Sequence, residues 1–203
     1  LTIKAGSGGI VAATATNACA EISAAGTVSL NSGGVVGSST NRIQFASGQT
    51  GVSAAATGDI FLNGLGNLAL GTVNSSTGAV NVVTTAASAG NINAAGTLTG
   101  ATISLNADGG IGTSGAVSLA PGGAVALTTA GAGAAGNIHV ATSSANLDNF
   151  TFTTAGTVQT LTIDKAGALL IHTSLNTGGD DLVIHADTAG TFGAGALTFT
   201  NGI

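Results

Sequence analysis

The chain contains no Trp, Tyr or Met, one Cys, one Pro and six Phe, and only 5% of its 203 residues are charged. Ordinary domains draw about a quarter of their residues from Asp, Glu, Lys and Arg. Without large side chains a conventional globular core cannot be filled, so the fold must be one in which small residues suffice. The three basic residues, Lys4, Arg42 and Lys165, are too few and too scattered to build a phosphate-binding patch. Nucleic acid is therefore excluded as an expected partner. The apolar runs are short and interrupted by Gly, Thr and Asn, so neither a transmembrane helix nor membrane insertion of this segment is expected. No basic stretch followed by an apolar one marks a signal peptide within it. Cys19 is alone, which leaves no internal disulfide, and a small residue of this kind is expected to be buried.

The scarcity of charge also argues against disorder. Disordered chains combine low hydropathy with high charge. Here mean hydropathy is +0.53 and formal net charge is −5.

What the chain does contain is a short repeat. A turn leads into two apolar residues spaced by one: Val28/Leu30, Ile43/Phe45, Ile60/Leu62, Leu68/Leu70, Val80/Val82, Ile103/Leu105 and Val117/Leu119. Val125/Leu127, Ile138/Val140, Leu161/Ile163, Leu169/Ile171, Leu182/Ile184 and Leu197/Phe199 follow. Spacing of two is the signature of a strand with one face inward. Many pairs are led in by Gly and one further residue, as in Gly58-Asp-Ile60 and Gly136-Asn-Ile138.

A longer period lies above this one. Ile60 to Val80 is 20 residues, Val80 to Ile103 is 23, and Val117 to Ile138 is 21. Leu161 follows after 23, then Leu182 and Ile203 after 21 each. Thr27-Val-Ser-Leu-Asn31 recurs as Thr102-Ile-Ser-Leu-Asn106, each followed by a Gly-Gly loop. Short strands at such a period predict an all-β fold, a parallel β-helix (β-solenoid) of about nine to ten coils of roughly 21 residues, with residues 1–203 as one segment. At about 4.8 Å per coil the rod would be roughly 45 Å long. Asn and Thr at the turns are expected to form side-chain ladders. Pro121 is read as a turn residue, and the Gly/Ala-rich stretch from about Thr129 to Gly136 as a loop. No charged or helical cap is evident at either end. The expectation is an interior excerpt of a longer repeat protein, or a unit that stacks end to end on neighbouring subunits.

The stretch Ser104-Leu-Asn-Ala-Asp-Gly-Gly-Ile-Gly-Thr113, the Gly-x-[Val/Ile/Leu]-x-[Leu/Val] strands and the opening Leu1-Thr-Ile-Lys-Ala-Gly-Ser-Gly-Gly-Ile10 resemble the repeat region of filamentous-haemagglutinin-like exoproteins of Gram-negative bacteria. The likeness in repeat style covers nearly the whole chain. It implies a right-handed β-helix, two-partner secretion through an outer-membrane pore, and display at the cell surface as an adhesin or extracellular filament. The secretion domain of that family, with its Asn-Pro-Asn-Gly-Ile-type signature, has no counterpart here, since Asn201-Gly-Ile203 is too short a match.

Parallel β-helices also include carbohydrate-active enzymes, which need clustered carboxylates. The acids are Glu21, Asp59, Asp108, Asp148, Asp164, Asp180, Asp181 and Asp187. Asp59 and Asp164 lie 105 residues apart, several coils along the rod, and cannot act together. The densest polar group is His172, Asp180, Asp181, His185 and Asp187, in which Asp181, His185 and Asp187 are weak candidate metal ligands. Asp180 and Asp181 are better explained as turn residues leading into Leu182/Ile184. His139, His172 and His185 each follow an inward apolar residue, so they are expected to point outward as isolated surface histidines. Thr151/Thr153 and Thr160/Thr162 fit an ice-binding Thr-x-Thr pattern locally, but it does not recur on every coil. No catalytic residue, cofactor or metal is expected. The expected function is a non-catalytic rod of a secreted or cell-surface adhesin, with host or surface glycans as candidate partners. The alternatives are a subunit of a self-assembling extracellular fibre and a carbohydrate-active β-helix enzyme.

Overall fold

The computed structural model describes residues 1–85, 90–155, 158–188 and 196–200. Every strand pairing among them is parallel. The larger sheet runs through β1 (Thr2–Ala5), β2 (Val28–Ser32), β4 (Gln49–Ala56), β6 (Leu68–Ser75), β9 (Thr97–Gly100), β11 (Val117–Pro121), β13 (Ile138–Thr142), β15 (Thr160–Lys165) and β17 (Asp181–Ala186). β8 (Ile92–Ala94) also pairs with β6. The second sheet runs through β3 (Ile43–Phe45), β5 (Ile60–Gly64), β7 (Val80–Thr84), β10 (Ile103–Ala107), β12 (Val125–Thr129) and β14 (Phe150–Thr153). β16 (Leu169–Ile171) and β18 (Leu197–Phe199) form a short third pairing. The described residues contain no α-helix, only a 3₁₀ turn at Gly133–Gly136.

The chain is thus a β-solenoid, of about 8 turns roughly 23 residues apart. The sequence expectation of nine to ten coils of 21 was too many and too short. Paired residues lie between 18 (Val52 to Leu70) and 28 (Leu169 to Leu197) positions apart, so the turns are uneven in length and several consume more chain than the regular stretch suggests. One pairing also slips. Val117 pairs with Val140, whereas Ile138 sits on Ile111. A shift of two residues keeps the same side chains inward, so the apolar pattern alone cannot detect it.

The core is a set of columns along the rod. Ile60, Val80, Ile103, Val125 and Phe150 stack in register, and beside them Leu62, Val82, Leu105, Leu127 and Phe152. Nearly all of the predicted inward pairs are buried; Leu182, Leu197 and Phe199 are exposed. The last inward position of a strand is often a hydroxyl, as at Ser32, Ser75, Thr84, Thr129 and Thr142, all buried. Four of these hydroxyls bond within the following turn, whereas Thr129 Oγ1 donates to Gln159 Oε1. Ser75 Oγ donates to Gly58 O and accepts from Gly78 N–H, and Thr84 Oγ1 donates to Gly90 O.

Two corners share one construction. At the first, Gly37 N–H donates to Ile10 O and Phe61 N–H to Val36 O. At the second, Gly112 N–H donates to Ile92 O and His139 N–H to Ile111 O. Gly37 and Gly112 both adopt the left-handed conformation (φ +69° and +73°), and a Cβ on either would meet a carbonyl oxygen of the next coil, that of Phe61 or His139. Glycine is required at both for conformation and for space. These corners follow the two copies of the sequence echo, yet β2 belongs to the larger sheet and β10 to the second. The echo is therefore a portable strand-and-corner piece rather than a mark of equivalent positions around the coil.

Two smaller expectations change. Pro121 is the last residue of β11, at a position where the absent N–H costs no ladder bond inside the strand, and the turn begins at Gly122. Cys19 is exposed, because residues 17–20 run outside the strand stack.

A histidine and aspartate ladder as the candidate functional site

The polar residues of this solenoid work mainly across coils. In four of the Gly-x-apolar lead-ins the middle residue is Asp or Asn: Asp59, Asn67, Asn91 and Asn137. Asp59 Oδ1 accepts from Ala79 N–H, Asn67 Oδ1 from Asn91 N–H, Asn91 Oδ1 from Gly110 N–H, and Asn137 Oδ1 from Thr160 N–H. Each side-chain oxygen reaches the backbone one coil on, which satisfies a corner N–H that no strand serves. The expected Asn and Thr side-chain contacts occur where Thr85 Oγ1 donates to Asn63 Oδ1 and Thr113 Oγ1 to Asn93 Oδ1, whereas the lead-in residues bond side chain to backbone.

The acids follow the same logic. Glu21 Oε2 accepts from Gln44 N–H and Asp180 Oδ1 from Gln159 N–H. Asp148 and Asp164 bind histidines instead. His139 Nε2 lies 2.8 Å from Asp164 Oδ2, and His185 Nδ1 lies 2.8 Å from Asp164 Oδ1. His172 Nδ1 lies 2.8 Å from Asp148 Oδ2. The three histidines do point outward, but they are not isolated: all are bonded to an aspartate on an adjacent coil.

The register explains why. Asp164 pairs with Ala141 on one side and His185 on the other, and His139 stands two residues before Ala141 on the same outward row set. One carboxylate therefore sits between imidazoles from β13 and β17. Burial pushes the Asp164 carboxyl up, but the hydrogen bonds and charges of His139 and His185 outweigh it and hold the carboxyl below its ordinary range. The sequence carried a usable signal. His139 to Asp164 is 25 residues, Asp164 to His185 is 21, and Asp148 to His172 is 24, each close to one turn of the coil. Opposite chemistry on outward positions one period apart predicts contact, which scanning for local clusters misses.

The weak metal candidates are not brought together. Asp181 and His185 occupy the same outward face of β17 four residues apart, about 13 Å along a strand. His185 is committed to Asp164, and Asp187 sits beyond the strand at φ +63°. Among the described residues no group of three His, Cys, Asp or Glu is arranged to hold a metal ion. The five acids with a described partner, Glu21, Asp59, Asp148, Asp164 and Asp180, face a backbone N–H or a histidine, never another acid.

The described surface carries depressions of a few hundred Å³. One of about 310 Å³ beside His139 is lined by Thr113, Asn137, Thr160 and Thr162. Another of about 250 Å³ lies between Phe150, Phe152 and Leu175. Arg42 is half-buried over the Phe61 ring, 5.5 Å from its centroid, and burial lowers its pKa. It is 3.4 Å from the Leu62 and Asn81 carbonyls, so this cation braces the second sheet. No helix among the described residues is long and apolar enough to cross a membrane. Comparison with protein-family models, with curated proteins and with solved structures finds no match to this chain.

Proposed function

We propose that this chain is a rod-forming, non-catalytic portion of an exported bacterial adhesin of the filamentous-haemagglutinin-like kind, displayed outside the cell. The observation that carries this reading is the way the chain uses its polar residues. Asp, Asn, Gln and His are spent on bonds between successive coils, and the acids with described partners form no carboxylate pair of the kind glycoside hydrolysis needs. A stack of small outward residues over an apolar column suits a spacer. The resemblance of Ser104–Thr113 and the strand lead-ins to such exoproteins supports export and adhesion specifically.

The test is immunogold electron microscopy of the producing cells with antibodies to this segment. Gold along thin rods projecting from the cell surface is the expected result. Gold confined to the cell interior would overturn it, as would release of reducing sugar from polysaccharides by the purified full-length protein.

A further inference from the structure

Two core columns change character at one point of the second sheet. Ile60, Val80, Ile103 and Val125 are followed by Phe150, and Leu62, Val82, Leu105 and Leu127 by Phe152. The aliphatic members are buried, whereas both phenyl side chains are only partly so. Their ring centroids lie 6.1 Å apart in a stacked arrangement. The sheet also stops here. β14 pairs with β12 on one side only, and residues 173–176 of the next coil pass its other edge without joining as a strand. Asn149 O accepts from Val125 N–H, so alternation along a parallel ladder turns the peptide groups of Phe150 and Phe152 to that free edge.

The surface is hollowed on both sides of Phe150. One depression of about 190 Å³ lies between Gly122, Asn146, Asn149 and Phe150, and the second, of about 250 Å³, between Asp148, Phe150, Phe152 and Asn176. Around the rings stand mainly amides and hydroxyls. Neither depression is lined by Lys or Arg, and the one carboxylate, Asp148, binds His172 through Oδ2. An anionic ligand would find nothing to pair with. The occupant that fits has an apolar face, a rim of hydroxyls and no charge. A peptide strand does not fit the free edge: His172 on Asp148 closes one end, and Leu175, packed on the core, overhangs the other.

We propose that the groove over Phe150 and Phe152 binds a neutral oligosaccharide. One pyranose stacks its C–H face on a phenyl ring, whose negative face attracts those hydrogens. Its hydroxyls bond the side-chain amides of Asn149 and Asn176 and Asp148 Oδ1. The two depressions together reach the lower end of the usual size of ligand sites, about 300 Å³ and upward. The inference deepens the adhesin reading and rests on it, by placing the sugar contact on the shaft itself.

Saturation-transfer difference NMR of the full chain tests this with cellotetraose, maltotetraose, chitotetraose and lacto-N-tetraose, and with sialyllactose and a heparin tetrasaccharide as acidic probes. At least one neutral sugar should receive saturation, strongest on the C–H protons of one ring, and should shift the Phe150 and Phe152 ring signals. Phe152→Leu restores the residue found at Leu105 and Leu127 and should raise the Kd of that sugar by about fivefold. Asn149→Ala, at an exposed position, should weaken binding too while far-UV circular dichroism stays that of the wild type. Binding of none of the neutral sugars would overturn the proposal, as would binding confined to the acidic probes or unchanged in both variants. A Thr-Val-Ser-Leu-Asn peptide that shifts the two ring signals where no sugar does would assign the groove to a protein strand and overturn it as well. Gold at the cell surface with no sugar bound sinks this inference alone; sugar bound with gold confined to the cell interior sinks the adhesin reading and leaves the groove.

Discussion

The middle of the rod and its first turns are built from different materials. From β5 to β13 each coil lays down apolar residues at two-residue spacing, and columns such as Ile60, Val80, Ile103 and Val125 hold the register. Residues 11–27 offer almost nothing of the kind; Ala12 and Ile22 are the only apolar side chains they bury. Two glutamines from the following coil take over. Gln44 Oε1 accepts from Asn17 N–H, and its Nε2 donates to Asn17 O and Cys19 O. Gln49 Oε1 accepts from Ala24 N–H, and its Nε2 donates to Gly26 O. A carboxamide carries the same kinds of donor and acceptor as a peptide group, with one N–H more. Where the backbone cannot run as a strand, a buried amide side chain substitutes for the missing ladder.

That difference can be broken from both sides. The largest loss is expected in the middle: Leu105→Ala opens a void in a fully buried column and should cost about 3 kcal/mol in denaturant unfolding. Gly112→Ala should follow, at about 2 kcal/mol or more, because it forces a left-handed residue and drives a Cβ onto the His139 carbonyl. Gln44→Ala should cost about 2 kcal/mol by orphaning the polar groups of residues 17–19. Its effect should be local: trypsin has few sites here, so limited proteolysis with an unspecific protease should cut within 11–27 first, whereas Leu105→Ala exposes the whole rod.

The smallest effect sharpens the comparison at the other end. Asp164 has a depressed pKa, so its contribution is complete above the ordinary carboxylate value of about 4 and is lost as pH falls through its lowered folded value. Acid titration followed by amide exchange should therefore show β15 and β17 losing protection below about pH 4, while β5 and β7 keep theirs. The loss should be absent in Asp164→Asn.

The inward face was legible because a period of two admits one solution: Val28/Leu30 through Leu169/Ile171 are buried as their alternation requires. Register was less so. Val117 over Ile138 or Val140 gives the same inward face, and the choice is made by the Ile111–Gly112 corner that seats Ile138. The Asn and Asp of the lead-ins were visible as turn residues, but their partners one coil on were not, since a bond to backbone leaves no trace in the partner's identity. Cys19 was misplaced because composition says nothing about a segment held off the stack by Gln44. The histidine ladder was written in spacings of 21 to 25, yet it became apparent only once outward rows were aligned coil on coil.

The central claim is the stack itself, and one distance tests it. Asn31, Ala55, Asn74, Thr99 and Ala120 follow one another in register along the larger sheet, four coil steps from first to last. Spin labels at Asn31→Cys and Ala120→Cys, in a chain whose exposed Cys19 is replaced by Ser, should give a narrow distance distribution. Double electron–electron resonance should place its centre near 19 Å, about 4.8 Å per coil, broadened only by the label linkers. A broad distribution centred near 50 Å, as expected for a flexible chain of this separation, would contradict the solenoid.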